Sequence, residues 1–220
     1  MTAFTDTDPQ HVAPSPGRGR PRDPNLDAAI LDAALEGLIH HGYDRLTMDE
    51  IAVRAQVGKG AVYRRWPSKA ELVVDAIVAW RLARSPVAIP DTGSLRGDFD
   101  AALEAMPDMD ESDGAMFAVL LGLLTAASRD SELTAALDAN LLEMARSAIR
   151  DVLERAVRRG EIEPGRDLSL VPDMVIGLNL LRIVAGQPIG REFFRRVLDD
   201  LVLPAVLGAG QTGTESKRAE

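Results

Sequence analysis

The 220-residue chain contains no cysteine, which excludes disulfides, a thiolate nucleophile and cysteine-ligated zinc. Aromatic residues make up only 4%. β-Branched runs are scarce while Ala and Leu are abundant, a balance that favours helices over sheets. No apolar run approaches the roughly 20 residues needed to span a bilayer, and the N-terminus lacks a basic-then-apolar signal pattern. A soluble, cytoplasmic protein is expected. The histidines are His11, His40 and His41, so the remainder of the chain offers no imidazole as a general base, and none of the three has a partner at metal-ligand spacing. Gly58-Lys59-Gly60 lacks the strand and further glycines of a phosphate loop. An enzyme, a cofactor and a metal site are all disfavoured.

An excess of positive charge is also missing: the net charge is −9. Residues 1–70 carry nine Lys/Arg and nine Asp/Glu, whereas residues 71–220 carry sixteen and twenty-five. The acid is therefore concentrated in the second part. A negative body repels DNA, leaving any basic surface in the first part to orient the contact.

The stretch Leu46 to Lys69 reads as two short helices joined by a tight turn, followed by a stop and a new helix. Thr47 with Glu50 forms a capping box, and Ile51, Ala52 and Ala55 lie at helical spacing. Gln56-Val57-Gly58 is expected to turn, with the glycine taking angles closed to other residues. The second helix, from Lys59 to about Arg65, is almost too short to stand alone, and it projects Lys59, Tyr63, Arg64 and Arg65. Pro67 ends it, and Ser68 with Glu71 caps the next helix. A short cationic helix held against another by a fixed turn suits the DNA major groove.

Ile30, Ala33-Ala34, Gly42-Tyr43, Thr47-Met48, Ile51-Ala52, Ala55, Val57-Gly58-Lys59-Gly60, Val62-Tyr63, Trp66 and Pro67-Ser68-Lys69 together resemble the DNA-binding domain of the TetR (tetracycline-repressor-like) family of bacterial transcription regulators. Many members carry a hydroxyl residue in place of Gly58, which removes one phosphate contact from the family pattern, and a phenylalanine-type aromatic in place of Trp66. The resemblance implies an all-α fold of about nine helices. An N-terminal three-helix reader would be joined to a C-terminal ligand-binding and dimerisation domain. It implies DNA contacts from Thr47, Gly58, Lys59, Gly60, Ala61, Tyr63, Arg64, Arg65 and Lys69. Arg64 is the expected base reader, because a guanidinium binds guanine bidentately. Arg65 and Lys69 are the expected phosphate contacts, and Val62 either touches a thymine methyl or belongs to the core.

Residues 1–22 read as a polar tail ending in a basic arm, Gly17-Arg18-Gly19-Arg20-Pro21-Arg22. Its arginines Arg18, Arg20 and Arg22 suit a narrow minor groove or phosphates, and otherwise form a solvated linker. Residues 23–84 are expected to hold the reader and a linking fourth helix. Pro86, Pro90 and Gly93 then mark the boundary of a body at 85–208, with a polar tail at 209–220. Within the body, helices are expected over Leu95–Met106, Ala115–Ala127, Asp130–Arg159, Leu168–Ala185 and Gly190–Leu207, with an acidic loop from Pro107 to Gly114. The third of these reads as one long amphipathic helix, and the second, apolar nearly all round, as a buried central one.

The resemblance also implies an effector cavity, with Trp80, Phe99, Met106, Met109, Phe117, Leu121, Met144, Met174 and Leu178 as candidate walls. Asn179 and Arg182 share a helix face and either contact a polar ligand group, satisfy each other, or meet an acid across an interface. The last two helices show more apolar surface than one chain needs. Leu181, Phe193, Phe194, Val197, Leu198, Leu201 and Val202 are therefore expected at a four-helix homodimer interface. The expected partners are operator DNA, a second copy and a small-molecule effector of unassigned chemistry. An architectural DNA protein without an effector, using the arm and phosphate contacts, is the alternative.

Overall fold

The computed structural model describes residues 24–84, 88–106, 111–187 and 190–208. Every regular element among them is helical. The first apolar stripe, Ile30, Ala34 and Leu38, is buried along α1 (Pro24–Arg45). Gly42 breaks that helix with φ 71°, a left-handed angle that glycine adopts without a Cβ clash. α2 (Met48–Arg54), α3 (Lys59–Tyr63) and α4 (Lys69–Arg84) complete the reading head.

The second part begins with α5 (Leu95–Glu104), capped by Ser94, and α6 (Glu111–Ala127). α6 starts four residues before the expected Ala115, so the acidic loop is shorter than its sequence suggests; residues 107–110, with Met109, lie outside the described residues. Nor is α6 buried all round. Met116, Val119, Leu123 and Ala126 face inward, whereas Ala118, Leu121, Gly122 and Thr125 are exposed.

The long amphipathic helix exists with an irregularity. α7 (Ser131–Ala136) passes through a π-helical segment, Leu137–Leu142, into α8 (Glu143–Arg158) without a break. After α9 (Val171–Val184), α10 (Arg191–Val197) continues through a second π segment, Leu198–Val202, into α11 (Leu203–Leu207). The described residues thus form nine continuous helices.

Two apolar clusters hold them together. One joins α1–α4 to α6 and α7; the other joins α5, α8, α9, α10 and α11. Packing therefore runs across the boundary drawn near residue 85. That boundary interrupts the chain, while the first core spans both sides of it.

Candidate nucleic-acid interface and ligand cavity

Thr47 caps α2, its hydroxyl accepting from the Glu50 N–H at 3.2 Å. The return arm of the capping box is absent, because the Glu50 carboxylate instead meets His41 Nε2 at 3.0 Å and Arg54 at 3.5 Å. The turn is built differently from expectation. Gln56 occupies the left-handed region with φ 56°, whereas Gly58 has an ordinary φ of −71° and serves as the N-cap of α3. Asn, Asp and polar residues tolerate the left-handed region better than branched ones, and glutamine's unbranched Cβ is compatible with it.

α3 is anchored by Val62, fully buried, and by Trp66, whose indole N–H donates to Asp75 at 2.8 Å. Val62 is therefore core, which closes its alternative as a thymine contact. Lys59, Tyr63 and Arg64 face outward. The Lys59 ammonium lies 2.6 Å from Asp49 and 5.7 Å from the Tyr63 ring centroid. The Asp49 hydrogen bond and charge raise the ammonium's pKa. A Cβ added at Gly60 would come within 3.2 Å of the Arg64 guanidinium, which lies close over that position. Ala61 is half-buried, and its carbonyl accepts from Arg65 at 3.1 Å.

Arg65 and Lys69, expected on phosphates, are engaged inside the fold instead. Arg65, only 13% exposed, forms an ion pair with Asp27 of α1. Lys69 donates to the Tyr43 carbonyl at 2.8 Å and sits 4.1 Å from the Tyr43 ring centroid. The partners of both lie far back in the chain, on α1, where local spacing does not reveal them. Arg45, exposed at the last position of α1, is an outward cation that belongs to no sequence motif. Arg18, Arg20 and Arg22 lie outside the described residues.

Tyr43 also ties the reading head to the second part. Its hydroxyl donates to Asp130 Oδ2 at 2.9 Å, while Asp130 Oδ1 caps α7 through the Leu133 N–H at 3.0 Å. Burial, and then the Asp130 hydrogen bond, push the phenol well above its ordinary range. The Leu133 N–H, followed by the Tyr43 hydroxyl, holds the Asp130 carboxyl below its own. Nearby, Arg129 reaches Asp44 at 3.2 Å.

A cavity of about 420 Å³ lies between the segment entering α5 and the face of α8, lined by Ala88, Ile89, Met144, Ser147, Ala148, Asp151 and Arg155. Met144 is the expected wall residue that appears there. Phe99, Met106, Met174 and Leu178 pack against the second core, Trp80 against the first, Phe117 is half-buried on α6, and Leu121 is 40% exposed.

Behind the cavity is a charge hub without a sequence motif. Asp98, fully buried, accepts from Thr92 N–H at 2.6 Å, the Thr92 hydroxyl at 2.8 Å, Arg159 at 3.0 Å and Arg155 at 3.4 Å. Burial alone would raise its carboxyl; the Thr92 and Arg159 donors outweigh burial and hold it below the usual range. Arg155 also donates to the Ile89 and Pro90 carbonyls.

Asn179 donates to the Val175 carbonyl at 2.8 Å, and the Arg182 guanidinium lies 4.3 Å from the Phe193 ring centroid. Val197, Leu198 and Val202, expected between copies, are instead buried in the chain's own second core, with Phe193 and Phe194 partly buried against it. Helical periodicity marks a face as apolar but does not say what covers it. Leu181 and Leu201 remain 63% and 41% exposed, joined by Leu170 at 74% and Val184 at 59%. Among the described residues, no helix is long and apolar enough to cross a membrane, and no group of three His, Asp or Glu side chains is gathered as for a metal ion.

Comparison with known proteins covers both parts of the chain. Residues 30–76 match the family model for bacterial regulatory proteins, tetR family, and residues 89–201 match that of the tetracyclin repressor-like C-terminal domain. An uncharacterized HTH-type transcriptional regulator of Mycobacterium tuberculosis is 32% identical, over 85% of this chain and 93% of its own length. The DNA-binding transcriptional repressor TetR of Mycobacteroides abscessus is 33% identical, over 83% and 94%. The solved TetR family transcription regulator SCO0332 superposes with a TM-score of 0.63 at 26% identity, covering 83% of this chain and 98% of that one.

Proposed function

The chain belongs to the TetR family of DNA-binding transcription regulators, and from that premise we propose that it is a homodimeric repressor released from a pseudo-palindromic operator by a small-molecule effector. The observation that carries the reading is the outward face of α3, where Lys59, Tyr63 and Arg64 stand exposed on a helix that Val62 and Trp66 fix to the head. Residues 23–84 read DNA, with Arg64 on a base edge, Tyr63 and Arg45 on phosphates, and Thr47 at the start of α2. Residues 85–208 bind the effector and dimerise.

The exposed apolar side chains Leu181, Val184 and Leu201 support pairing of the last helices with their copies. Two reading heads related by a two-fold axis match two half-sites on one face of the duplex. The α8 cavity, with apolar walls and the polar groups of Ser147, Asp151 and Arg155, has the size and mixed lining of a small-molecule site. Occupancy acts on a helix that begins at Asp130, the residue holding Tyr43 of the head. A preference for one head spacing of about 1–3 kcal/mol is the usual scale of such coupling.

The test is selection of genomic fragments by the purified protein, with footprinting of the winners at physiological salt. Two protected half-sites on one face, related by pseudo-palindromy, are the expected result. Diffuse, sequence-independent enrichment with a steep salt dependence overturns the repressor reading in favour of an architectural role.

A further inference from the structure

The head carries one acid where a DNA binder has reason to avoid it. Asp49, in the first turn of α2, is 63% exposed, and the Lys59 ammonium lies 2.6 Å from one of its carboxylate oxygens and 2.9 Å from the other. Lys59 is itself 57% exposed and stands beside Tyr63 on the outward surface. An ion pair this exposed contributes little to folding. A carboxylate at that place also costs phosphate attraction, the main source of general DNA affinity. The helix dipole favours an acid in the first turn of α2, where Glu50 also stands; what the dipole does not account for is that this carboxylate holds the outward lysine at the start of α3.

We propose that Asp49 and Lys59 act as one unit that reads a single G·C base pair in each half-site, with Asp49 as a specificity-determining residue. This rests on the DNA-reading assignment above. In the major groove, guanine presents the N7 and O6 acceptors side by side, and the paired cytosine presents its N4–H₂ donor next to O6. An ammonium beside a carboxylate is the complementary order: Lys59 donates to N7 and O6, and Asp49 accepts from N4–H₂. Reversing the pair brings Lys59 against the cytosine donor. Adenine places its N6–H₂ donor at the ammonium and thymine O4 at the carboxylate, and thymine under Lys59 replaces one acceptor with a methyl group. On featureless DNA the carboxylate keeps the ammonium, so Lys59 adds little to non-specific binding.

The experiment selects winners from randomised duplexes with the wild type, Asp49→Asn and Lys59→Gln, and measures the salt dependence of each on a random-sequence duplex. The wild type is expected to require G·C at one position per half-site, with discrimination of about tenfold. Asp49→Asn should lose most of that preference, bind random duplex more tightly, and steepen the logarithmic salt slope by about 0.9 for each subunit as Lys59 turns to a phosphate. Lys59→Gln should lose the G·C preference and also bind random duplex more weakly, because the Asp49 carboxylate is then left unpaired at the DNA face. A palindrome selected unchanged by Asp49→Asn, with unchanged random-duplex affinity, overturns this proposal and leaves the repressor reading intact. So does a Lys59→Gln variant that keeps the G·C preference. Failure of the wild type to select any palindrome removes both.

Discussion

Replacing Asp98 with alanine tests whether the second part is held by its buried charge hub. The substitution removes the acceptor shared by Thr92, Arg159 and Arg155 at a position with no solvent exposure. Breaking a buried pair by deleting one partner costs about 3–5 kcal/mol, because the remaining charges stay desolvated. Here both arginines keep other partners: Arg155 the Ile89 and Pro90 carbonyls, and Arg159 the Asp91 and Glu161 carboxylates. The lower end, about 3 kcal/mol, is therefore expected. At about 2–4 °C per kcal/mol for a chain of this size, the melting temperature should fall by about 6–12 °C. Thermal and urea unfolding followed by far-UV circular dichroism measure it. The pH dependence supplies an independent check. The folded carboxyl is held below its unfolded value of 3.8, so its contribution is fully present above that pH and is lost as pH falls through the folded value. The difference in stability between wild type and Asp98→Ala should thus be flat at neutral pH and shrink only in acid below about pH 4. A loss under about 1 kcal/mol, or a difference that shrinks near neutrality, refutes the reasoning.

Three further outcomes follow from the contacts described. Tyr43→Phe removes a hydrogen bond to a carboxylate and should cost about 1–2 kcal/mol; in a double-mutant cycle with Asp130→Ser, which keeps a capping oxygen, the two losses should fall short of additivity, and strict additivity in urea unfolding denies the contact. Arg65→Ala should lower stability by about 2 kcal/mol, below the roughly 3–5 kcal/mol of a fully buried pair because the Asp27 side chain is 25% exposed, while the salt slope of DNA binding stays unchanged; a slope reduced by about 0.9 per subunit returns Arg65 to the phosphates. Leu181→Glu, placing a charge on a 63% exposed apolar site, should yield a folded monomer in sedimentation measurements with weakened operator binding, and an undisturbed dimer moves the interface elsewhere.

The reading head was legible because its signals are local. Thr47 and Ser68 stand three residues before the N–H groups that they cap, Gly42 breaks α1 at a positive φ, and the buried side of α2 recurs at helical spacing. What was not legible depended on partners distant in sequence. The charges of Arg65 and Lys69 are claimed by Asp27 and the Tyr43 carbonyl, 38 and 26 residues away. Asp98 finds its arginines 57 and 61 residues on. An apolar stripe on α10 is equally compatible with a copy of the chain or with the chain's own core, and for Val197, Leu198 and Val202 the core holds them. In the turn, Gln56 rather than the nearby glycine took the left-handed angle, a choice that composition alone does not reveal.

The helix from Ser131 to Arg158 shows why its π segment matters. Leu133, Ala136 and Leu137 belong to the core shared with the reading head, whereas Ile149, Val152, Leu153 and Ala156 belong to the core of the last helices. One rod must face two clusters in succession, and a regular helix advances its stripe by a fixed angle per residue. The π turn over Leu137–Leu142 takes in additional chain between the two stripes and re-aims the second. The cavity lies beyond that turn, at Met144, Ser147, Ala148, Asp151 and Arg155, and the Tyr43 contact lies before it, at Asp130. The cavity wall and the Tyr43 contact thus lie on opposite ends of one continuous rod, which is the geometry that the proposed effector response requires.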